Sequence, residues 1–270
     1  MRIKDMLLVA RAGEPCEALF AVGAHVARQH GARITGVCVY SEPAVGPSNG
    51  EADANRRRKE AIESSVAPTE TAYRAAIADH GLSESWAVGE AEERTWALIR
   101  QARFADLVLV GLPGEEPLAR RLAESLVFNS GAPCVLAPCS AKVTKIERVL
   151  LAWDGSREAK RAMDDGLAFM AAAEKVLVVI SHEDGDDASY EAHGAHLLGH
   201  LSRHGIEAEL KVVSKPGEKI GDVLHNECKS FAPDLLIMGA YGHSQAREMV
   251  LGGATRAMLA RAAQPVLMVH

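Results

Sequence analysis

Aromatic residues, cysteines and long apolar runs are all scarce in this sequence. Aromatic side chains account for 4% of the 270 residues, and the five cysteines are an odd number without any C-x2-C spacing. Scattered thiols of this kind are typical of reduced core residues and argue against a disulfide framework or a cysteine zinc site. No apolar run approaches the roughly 18 residues that a membrane-spanning helix needs, and the first residues do not resemble a secretion signal. We therefore expect a cytoplasmic protein with no membrane partner.

Basic clusters are equally scarce. The formal net charge is −6, and the one basic block, residues 56–59, is followed closely by Glu60 and Glu63. A nucleic-acid-binding surface needs an uncompensated basic patch that neutralises phosphates. The charge pattern therefore argues against nucleic acid as a partner.

The most informative stretch is residues 234–255, DLLIMGAYGHSQAREMVLGGAT. It opens with an apolar run that suits a strand buried on both faces, and Gly239 and Gly242 then predict a tight turn. Gly252 and Gly253 lead into a helix-forming run, so backbone N–H groups gather at a helix N-terminus without side chains in the way. Such an end attracts anions. The stretch therefore predicts a phosphate-binding cradle at the carboxyl end of a strand.

The glycine spacing of this stretch resembles the universal stress protein family. Nucleotide-binding members of that family carry Gly-x2-Gly-x9-Gly-Ser/Thr, and Gly239, Gly242 and Gly252 match the three glycines. The next position departs from the pattern, because Gly253 stands where the family has a hydroxyl residue and the nearest hydroxyl is that of Thr255. This departure weakens one hydroxyl contact to phosphate and leaves the backbone donors in place.

The chain also contains an internal duplication. Residues 4–11 and 147–154 are the same kind of apolar strand, and each is followed by a helix-forming run. Further along, residues 89–114 match residues 217–242 without a gap. The resemblance to universal stress proteins therefore covers the chain twice, as a tandem arrangement.

Strands and helices alternate five times in each copy, which is typical of an open parallel sheet with helices on both faces. We predict an α/β fold of two tandem, open, mostly parallel five-stranded sheets, universal stress protein-like and Rossmann-like, in domains 1–140 and 146–270.

The final strand of each copy follows a proline, Pro133 or Pro265, and is short and apolar, so we predict an edge strand. The resemblance implies that these two edges pair within one chain. A homodimer is a further assembly left open.

The first copy departs from the nucleotide-binding pattern. Arg120 and Arg121 occupy the positions that match Gly252 and Gly253, and Arg11 stands where the second copy has Asp154. These changes remove both the side-chain-free cradle and the acidic group. We therefore predict that the first domain is degenerate and that the second domain binds the nucleotide.

Ligands of open α/β sheets bind outside the carboxyl ends of the strands, where the strand order reverses. Asp154 is placed there for a ribose hydroxyl or the adenine edge, as the resemblance implies; the alternative is a helix N-cap shared with Ser156. Trp153 either lines the base pocket or packs in the core. Gly217 and Glu218 either bring backbone groups to the base, as in the family, or form a simple turn.

The remaining candidates extend the same site. The resemblance implies that Val179 and Ile180 offer backbone groups to adenine. Ser244 is a candidate hydroxyl ligand, and Arg247 either pairs with phosphate or is solvated. The full set of predicted nucleotide-binding residues is Ala152, Trp153, Asp154, Val179, Ile180, Gly217, Met238, Gly239, Gly242, His243, Ser244, Gly252, Gly253, Ala254 and Thr255.

A row of histidines is the main competing feature. His193, His196, His200 and His204 have spacings that place several imidazoles on one helix face, and imidazole pairs can bind zinc. No Cys or carboxylate completes a recognisable ligand set in the sequence, and an exposed helix face explains the pattern equally well. We therefore predict no metal site.

Motifs for catalysis are missing from the sequence, including a nucleophile elbow and a phosphate-binding Walker loop. The resemblance implies a protein that binds ATP or another adenine nucleotide, with Mg²⁺ accompanying a triphosphate, and that acts as a stress-response sensor or regulator through a partner of unknown identity. One alternative is a slow ATPase or self-phosphorylating enzyme that uses Ser244 or Thr255. The other is a ligand-free interaction scaffold.

Overall fold

The computed structural model describes most of the chain as alternating strands and helices. The described residues are 3–44, 46, 48, 50–78, 84–112, 117–143, 145–182, 186–240 and 253–270. The strands are β1 (Asp5–Arg11), β2 (Arg33–Tyr40), β3 (Glu84–Glu90), β4 (Leu107–Leu112), β5 (Cys134–Pro138), β6 (Arg148–Ala152), β7 (Lys175–His182), β8 (Glu209–Ser214), β9 (Leu235–Gly239) and β10 (Val266–Val269). The helices are α1 (Glu17–His30), α2 (Glu51–Ala78), α3 (Ala91–Ala102), α4 (Pro117–Asn129), α5 (Arg157–Ala172), α6 (Asp187–Arg203), α7 (Ile220–Phe231) and α8 (Gly253–Arg261).

The strands form one sheet in the order β3-β2-β1-β4-β5-β10-β9-β6-β7-β8. The predicted α/β class with a mostly parallel sheet is confirmed, and the two predicted five-stranded sheets are the halves of this single sheet. The halves join where β5 and β10 pair antiparallel, with Leu267 opposite Val135. The predicted pairing of the two final strands within one chain is therefore observed.

Helices cover both faces of the sheet and bury a continuous core on each. One apolar cluster lies under α1, α2, α5 and α6 and includes Leu109 from the first half and Ile237 from the second. The other cluster lies under α3, α4, α7 and α8 and includes Leu136 and Leu236. Since each cluster draws side chains from both halves, the core does not break at the junction between them.

The duplication is visible in repeated hydrogen bonds at the amino ends of the strands. The carboxylate of Asp106 accepts backbone bonds from Lys4 and Asp5 at 2.7 and 3.0 Å. Asp234 accepts from the amides of residues 147–148 at 2.9 and 2.8 Å. In each copy one carboxylate thus links the start of the first strand to the start of a parallel strand that pairs with it, β4 with β1 and β9 with β6.

Replacing Asp234 by alanine is expected to lower the free energy of unfolding by about 1–3 kcal/mol, because two backbone donors lose a charged acceptor. Chemical denaturation measures the change. The control is Asp222→Ala, which removes an exposed ion pair with Arg261 at 2.7 Å and should cost less than about 1 kcal/mol. Equal losses in the two variants would contradict this role for Asp234.

The cysteines are free thiols, as the sequence predicts, and only Cys139 is not buried. Burial raises the pKa of Cys134 to about 12 and that of Cys139 to about 11. A thiol with a raised pKa is a weak nucleophile at neutral pH. The four buried cysteines therefore serve the core. No helix in the described part of the chain combines the length and apolarity that crossing a membrane requires.

Candidate functional site

The strand order of the second half reverses between β6 and β9. These strands pair parallel, with Leu150 opposite Leu236, while the chain continues from β6 to β7 on one side and from β9 to β10 on the other. The helices that follow these strands, α5 and α8, lie on opposite faces of the sheet, and a crevice is expected at the carboxyl ends of strands arranged in this way. This crevice is where the structure brings the predicted residues of β6 and β9 together.

Asp154 lies exposed just beyond β6. Its Oδ1 accepts a hydrogen bond from the Ser156 amide at 2.9 Å, and Gly155 between them has φ +76°. Ser156 is the N-cap of α5, because its hydroxyl accepts from the Ala159 amide at 3.0 Å. Ser156 and Asp154 therefore have separate roles. The Ser156 hydroxyl caps the N-terminus of α5, and the Asp154 carboxylate stabilises the turn that precedes the helix.

Trp153 and the end of β7 are held together by the sheet. The Trp153 amide donates to the Val179 carbonyl at 2.9 Å, and Ala152 lies opposite Val179 in the register. The Trp153 side chain is half-buried and packs against the core, as one of its two interpretations predicted. The side chains of Val179 and Ile180 are buried, and the Val179 carbonyl already has a partner within the sheet.

Gly239 ends β9 in close contact with the first turn of α5. A Cβ added at Gly239 would lie 2.5 Å from the Ala159 amide nitrogen and 2.6 Å from the Glu158 carbonyl carbon. The space beside Gly239 is thus filled by helix backbone. The absence of a side chain here allows the strand to pack closely on the helix, and the sequence pattern had assigned Gly239 to the nucleotide site. Met238 before it is buried.

Gly217 lies in a four-residue turn after β8. The Glu218 amide donates to the Lys215 carbonyl at 3.2 Å, and Gly217 has φ +80°. Proline at the second position, Pro216, and glycine with positive φ at the third are typical of a type II turn. This geometry favours the simple-turn interpretation of Gly217 and Glu218.

Helix α8 begins at Gly253, which is exposed. A Cβ added to Gly253 would meet no atom of the described residues within 4 Å, so the described part of the chain leaves the volume beside it open. Thr255, one residue beyond the half-buried Ala254, is 2% exposed, and its hydroxyl lies within the protein. An anion that approaches α8 would thus meet the backbone N–H groups of its first turn.

Gly221 fixes the position of α8, although the sequence pattern did not suggest it. A Cβ at Gly221 would lie 2.4 Å from the Ala257 Cβ and 3.2 Å from the Gly253 carbonyl oxygen. The start of α7 therefore packs directly on the start of α8. The sequence signal for this contact was a glycine in the first turn of an amphipathic helix, where glycine is unfavourable unless close packing requires it.

Several predicted residues lie outside the described part of the chain. These are Gly242, His243, Ser244, Arg247 and Gly252. The described part of the predicted site thus comprises the ends of β6, β7 and β9, the turn at Gly217 and the first turn of α8.

The equivalent crevice of the first half holds an arginine. Arg11 at the end of β1 donates to the Ser41 hydroxyl at 2.8 Å and lies 3.6 Å from the Glu14 carboxylate. A guanidinium engaged by two neighbours therefore takes the place of Asp154. This asymmetry supports the prediction that the two halves differ as binding sites.

The histidine row lies on α6 and at its C-terminal end. His193, His196 and His204 are exposed and His200 is half-buried. The His200 and His204 rings are 4.9 Å apart, and desolvation together with the charge of His204 lowers the pKa of His200. Within the described ranges, no group of three or more His, Cys, Asp or Glu side chains is arranged to hold a metal ion.

Comparison with known proteins identifies the second half of the chain. Residues 145–270 match the model of the Universal stress protein family and therefore form a universal stress protein domain. The universal stress protein Slr1230 of Synechocystis sp. is 26% identical over 146 residues, which are 53% of this chain and 49% of that protein. The chain thus spans about half the length of the curated relative that it matches.

Solved structures resemble the whole chain. A universal stress protein from Archaeoglobus fulgidus DSM 4304 aligns with a TM-score of 0.71 and 16% identity, over 100% of this chain and 99% of that one. A functionally unknown protein from Pseudomonas aeruginosa PAO1 aligns with a TM-score of 0.63 and 13% identity, over 99% and 92%. At these identities the likeness shows a shared fold.

Proposed function

We propose that the chain is a tandem universal stress protein with domains 1–140 and 146–270, and that its second domain binds ATP or another adenine nucleotide. Nucleotide binding would let the protein act as a cytoplasmic sensor or regulator of the stress response. The family match of residues 145–270 supports the proposal. So do the repeated strand order and the repeated hydrogen bonds of Asp106 and Asp234.

The observation that carries nucleotide binding is the volume beside Gly253 at the N-terminus of α8, which the described residues leave open. Orphan N–H groups and the helix dipole favour a phosphate at such an end. The second helix that begins at this crevice, α5, has its first turn capped by Ser156 and packed against Gly239. Of these two helices, α8 is therefore the one that we assign to the phosphates.

The nucleoside would lie toward β6 and β7. Asp154 is exposed beside the crevice, and a carboxylate is a strong acceptor for ribose hydroxyls. Trp153 directly precedes Asp154, and its half-buried side chain would add apolar surface to the site of the base. The residues present thus fit a nucleotide with its base near β6 and its phosphates near α8.

Magnesium would arrive with a triphosphate. The described residues offer no cluster of three or more metal-binding side chains. Mg²⁺ commonly keeps several waters and takes its other ligands from the phosphates and one or two carboxylates. We therefore assign the ion to the nucleotide instead of to a resident protein site.

Replacing Asp154 by alanine is expected to weaken ATP binding by about 1–3 kcal/mol, the usual cost of removing a charged hydrogen-bond acceptor. Isothermal titration calorimetry measures the change. The matched control is Ser156→Ala, which removes the neighbouring helix cap. It should lower the free energy of unfolding by about 1 kcal/mol and leave ATP affinity unchanged. An Asp154→Ala variant that loses stability but keeps its affinity would assign Asp154 to the turn alone.

Mass spectrometry of the small molecules released from the purified, denatured protein tests the nucleotide directly. We expect an adenine nucleotide, or stoichiometric uptake of added ATP by protein purified without it. Protein that neither carries nor takes up an adenine nucleotide would refute the proposal and favour a ligand-free scaffold.

A further inference from the structure

A cavity of about 340 Å³ opens between the two halves of the chain. Its walls are the link between α3 and β4, the link between α4 and β5, and one side of α5. The two links belong to the first half, and α5 belongs to the second. Ligand pockets have volumes of about 300–1,000 Å³ and occur preferentially at domain interfaces. The cavity therefore has a size and a position that suit a small metabolite.

The lining of this cavity carries charges of both signs. Arg103 and Arg161 contribute two guanidiniums, and Asp106, Asp164 and Asp165 contribute three carboxylates. These groups come from separate segments of the chain and meet only in the fold. A cavity lined in this way favours a ligand that itself carries positive and negative groups.

Three of the five charged groups have partners in the protein. The Asp106 carboxylate accepts the two backbone hydrogen bonds described above. Asp164 forms an ion pair with Lys160 on the surface of α5. The guanidinium of Arg161 donates to the backbone oxygen of His270. These partners hold the three side chains at the wall of the cavity.

Arg103 and Asp165 remain for a ligand. Neither side chain forms a hydrogen bond or an ion pair with another described residue. Arg103 is exposed and Asp165 is half-buried. Burial raises the pKa of the Asp165 carboxyl, and the Arg161 guanidinium offsets only part of that effect. A carboxylate that is desolvated in this way is stabilised when a cation enters the cavity.

The equivalent positions of the duplication lack most of these charges. Gly23 and Gly166 pack closely against the sheet at matching positions of α1 and α5 and set the register of the two helices. Asp106 has a charged counterpart, Asp234, and the two share the structural role described above. The other charged residues of the lining have apolar counterparts, which are Phe231 for Arg103, Ala18 for Arg161, Ala21 for Asp164 and Val22 for Asp165. The fold itself therefore does not require these charges.

We propose that the cavity binds an α-amino acid with a cationic side chain. The Arg103 guanidinium receives the carboxylate of the ligand, because its paired donors match carboxylate geometry. The Asp165 carboxylate receives the α-ammonium group. Since three carboxylates face two guanidiniums, the lining favours a ligand with one additional positive charge, as lysine and arginine have. This site is separate from the proposed nucleotide site and does not depend on it.

L-Lysine is the probe, and two analogues each lack one of its charged groups. Cadaverine lacks the carboxylate, and ε-aminocaproate lacks the α-ammonium group. Calorimetric titration of the full chain gives the three affinities. We expect L-lysine to bind at least about tenfold more tightly than either analogue, because each analogue loses one charge-assisted hydrogen bond. L-Glutamate, which reverses the charge of the side chain, should bind more weakly than L-lysine.

Two substitutions in the cavity assign the two ends of the ligand. Arg103→Gln should weaken L-lysine binding about tenfold and leave cadaverine binding unchanged, because cadaverine has no carboxylate for Arg103 to bind. Asp165→Asn should weaken L-lysine binding by a similar factor and leave ε-aminocaproate binding unchanged, because that analogue has no α-ammonium group. A merely structural role for either residue would change the affinity for every ligand alike.

The matched control is Arg100→Gln. Arg100 is an exposed arginine one turn earlier on α3 and does not belong to the lining, so its loss should change no affinity. Thermal unfolding confirms that each variant is folded. A wild type that binds no L-lysine at millimolar concentration, or binds it no more tightly than cadaverine, would overturn the proposal. So would an Arg103→Gln variant that loses L-lysine and cadaverine equally.

Discussion

Replacing Gly253 by valine is expected to abolish ATP binding while the protein stays folded. A Cβ at this position meets no atom of the described residues within 4 Å, and φ lies outside the left-handed region, so the side chain enters space that those residues leave open and adds no backbone strain. That space adjoins the first N–H groups of α8, where we place the phosphates. A branched side chain there would occupy the phosphate volume, and we expect affinity to fall by at least about 100-fold, or roughly 2.7 kcal/mol.

Calorimetry measures the affinity of the Gly253→Val variant, and thermal unfolding measures its stability. The matched control is Gly46→Val, since a Cβ at Gly46 also meets none of the described residues within 4 Å and this glycine lies in the first half. It should change neither quantity. A folded Gly253→Val protein that binds ATP as tightly as the wild type would contradict the assignment of the phosphates to the N-terminus of α8.

Replacing Gly239 by alanine should have the opposite outcome, a large loss of stability. Its Cβ would lie 2.5 Å from the Ala159 amide nitrogen, and backbone in the first turn of α5 cannot move aside without disturbing the Ser156 cap. Overpacking of this kind costs about 1–3 kcal/mol or more. Denaturant unfolding of the purified variant measures the loss.

Gly111 provides the control within the same chain, because it occupies the corresponding place in the first half. A Cβ there would lie 3.7 Å from the Leu19 Cδ2 atom, an ordinary contact distance. Gly111→Ala should therefore be close to neutral. If the two variants lose the same stability, the close approach of α5 to β9 is not the reason for Gly239.

Much of the fold follows from the sequence because its determinants are local. Apolar runs predict the buried strands, and the ungapped match of residues 89–114 with 217–242 predicts the duplication. The short, apolar final strands predicted an edge in each copy, and the resemblance to universal stress proteins implied that β5 and β10 pair. These patterns depend on adjacent residues and on the spacing of the internal repeat, and both can be read directly from the sequence.

The site was less predictable because its geometry depends on contacts between distant residues. Gly239 matches a nucleotide-binding pattern, yet only the structure shows that α5 fills the space beside it. Thr255 carries the nearest hydroxyl in the sequence, but its position on α8 directs its side chain into the protein interior. A simple turn at Gly217 was one of the two interpretations of the sequence, and Pro216 before a glycine is a local signal for type II that favours it.

The stoichiometry of ATP binding to the full chain, measured by isothermal titration calorimetry, tests the central claim most directly. One site per chain is the predicted result, because Asp154 and the open start of α8 belong to the second half while Arg11 occupies the equivalent crevice of the first. Loss of that site in Gly253→Val would place it in the second half. Two equivalent sites, or no binding at all, would contradict the account.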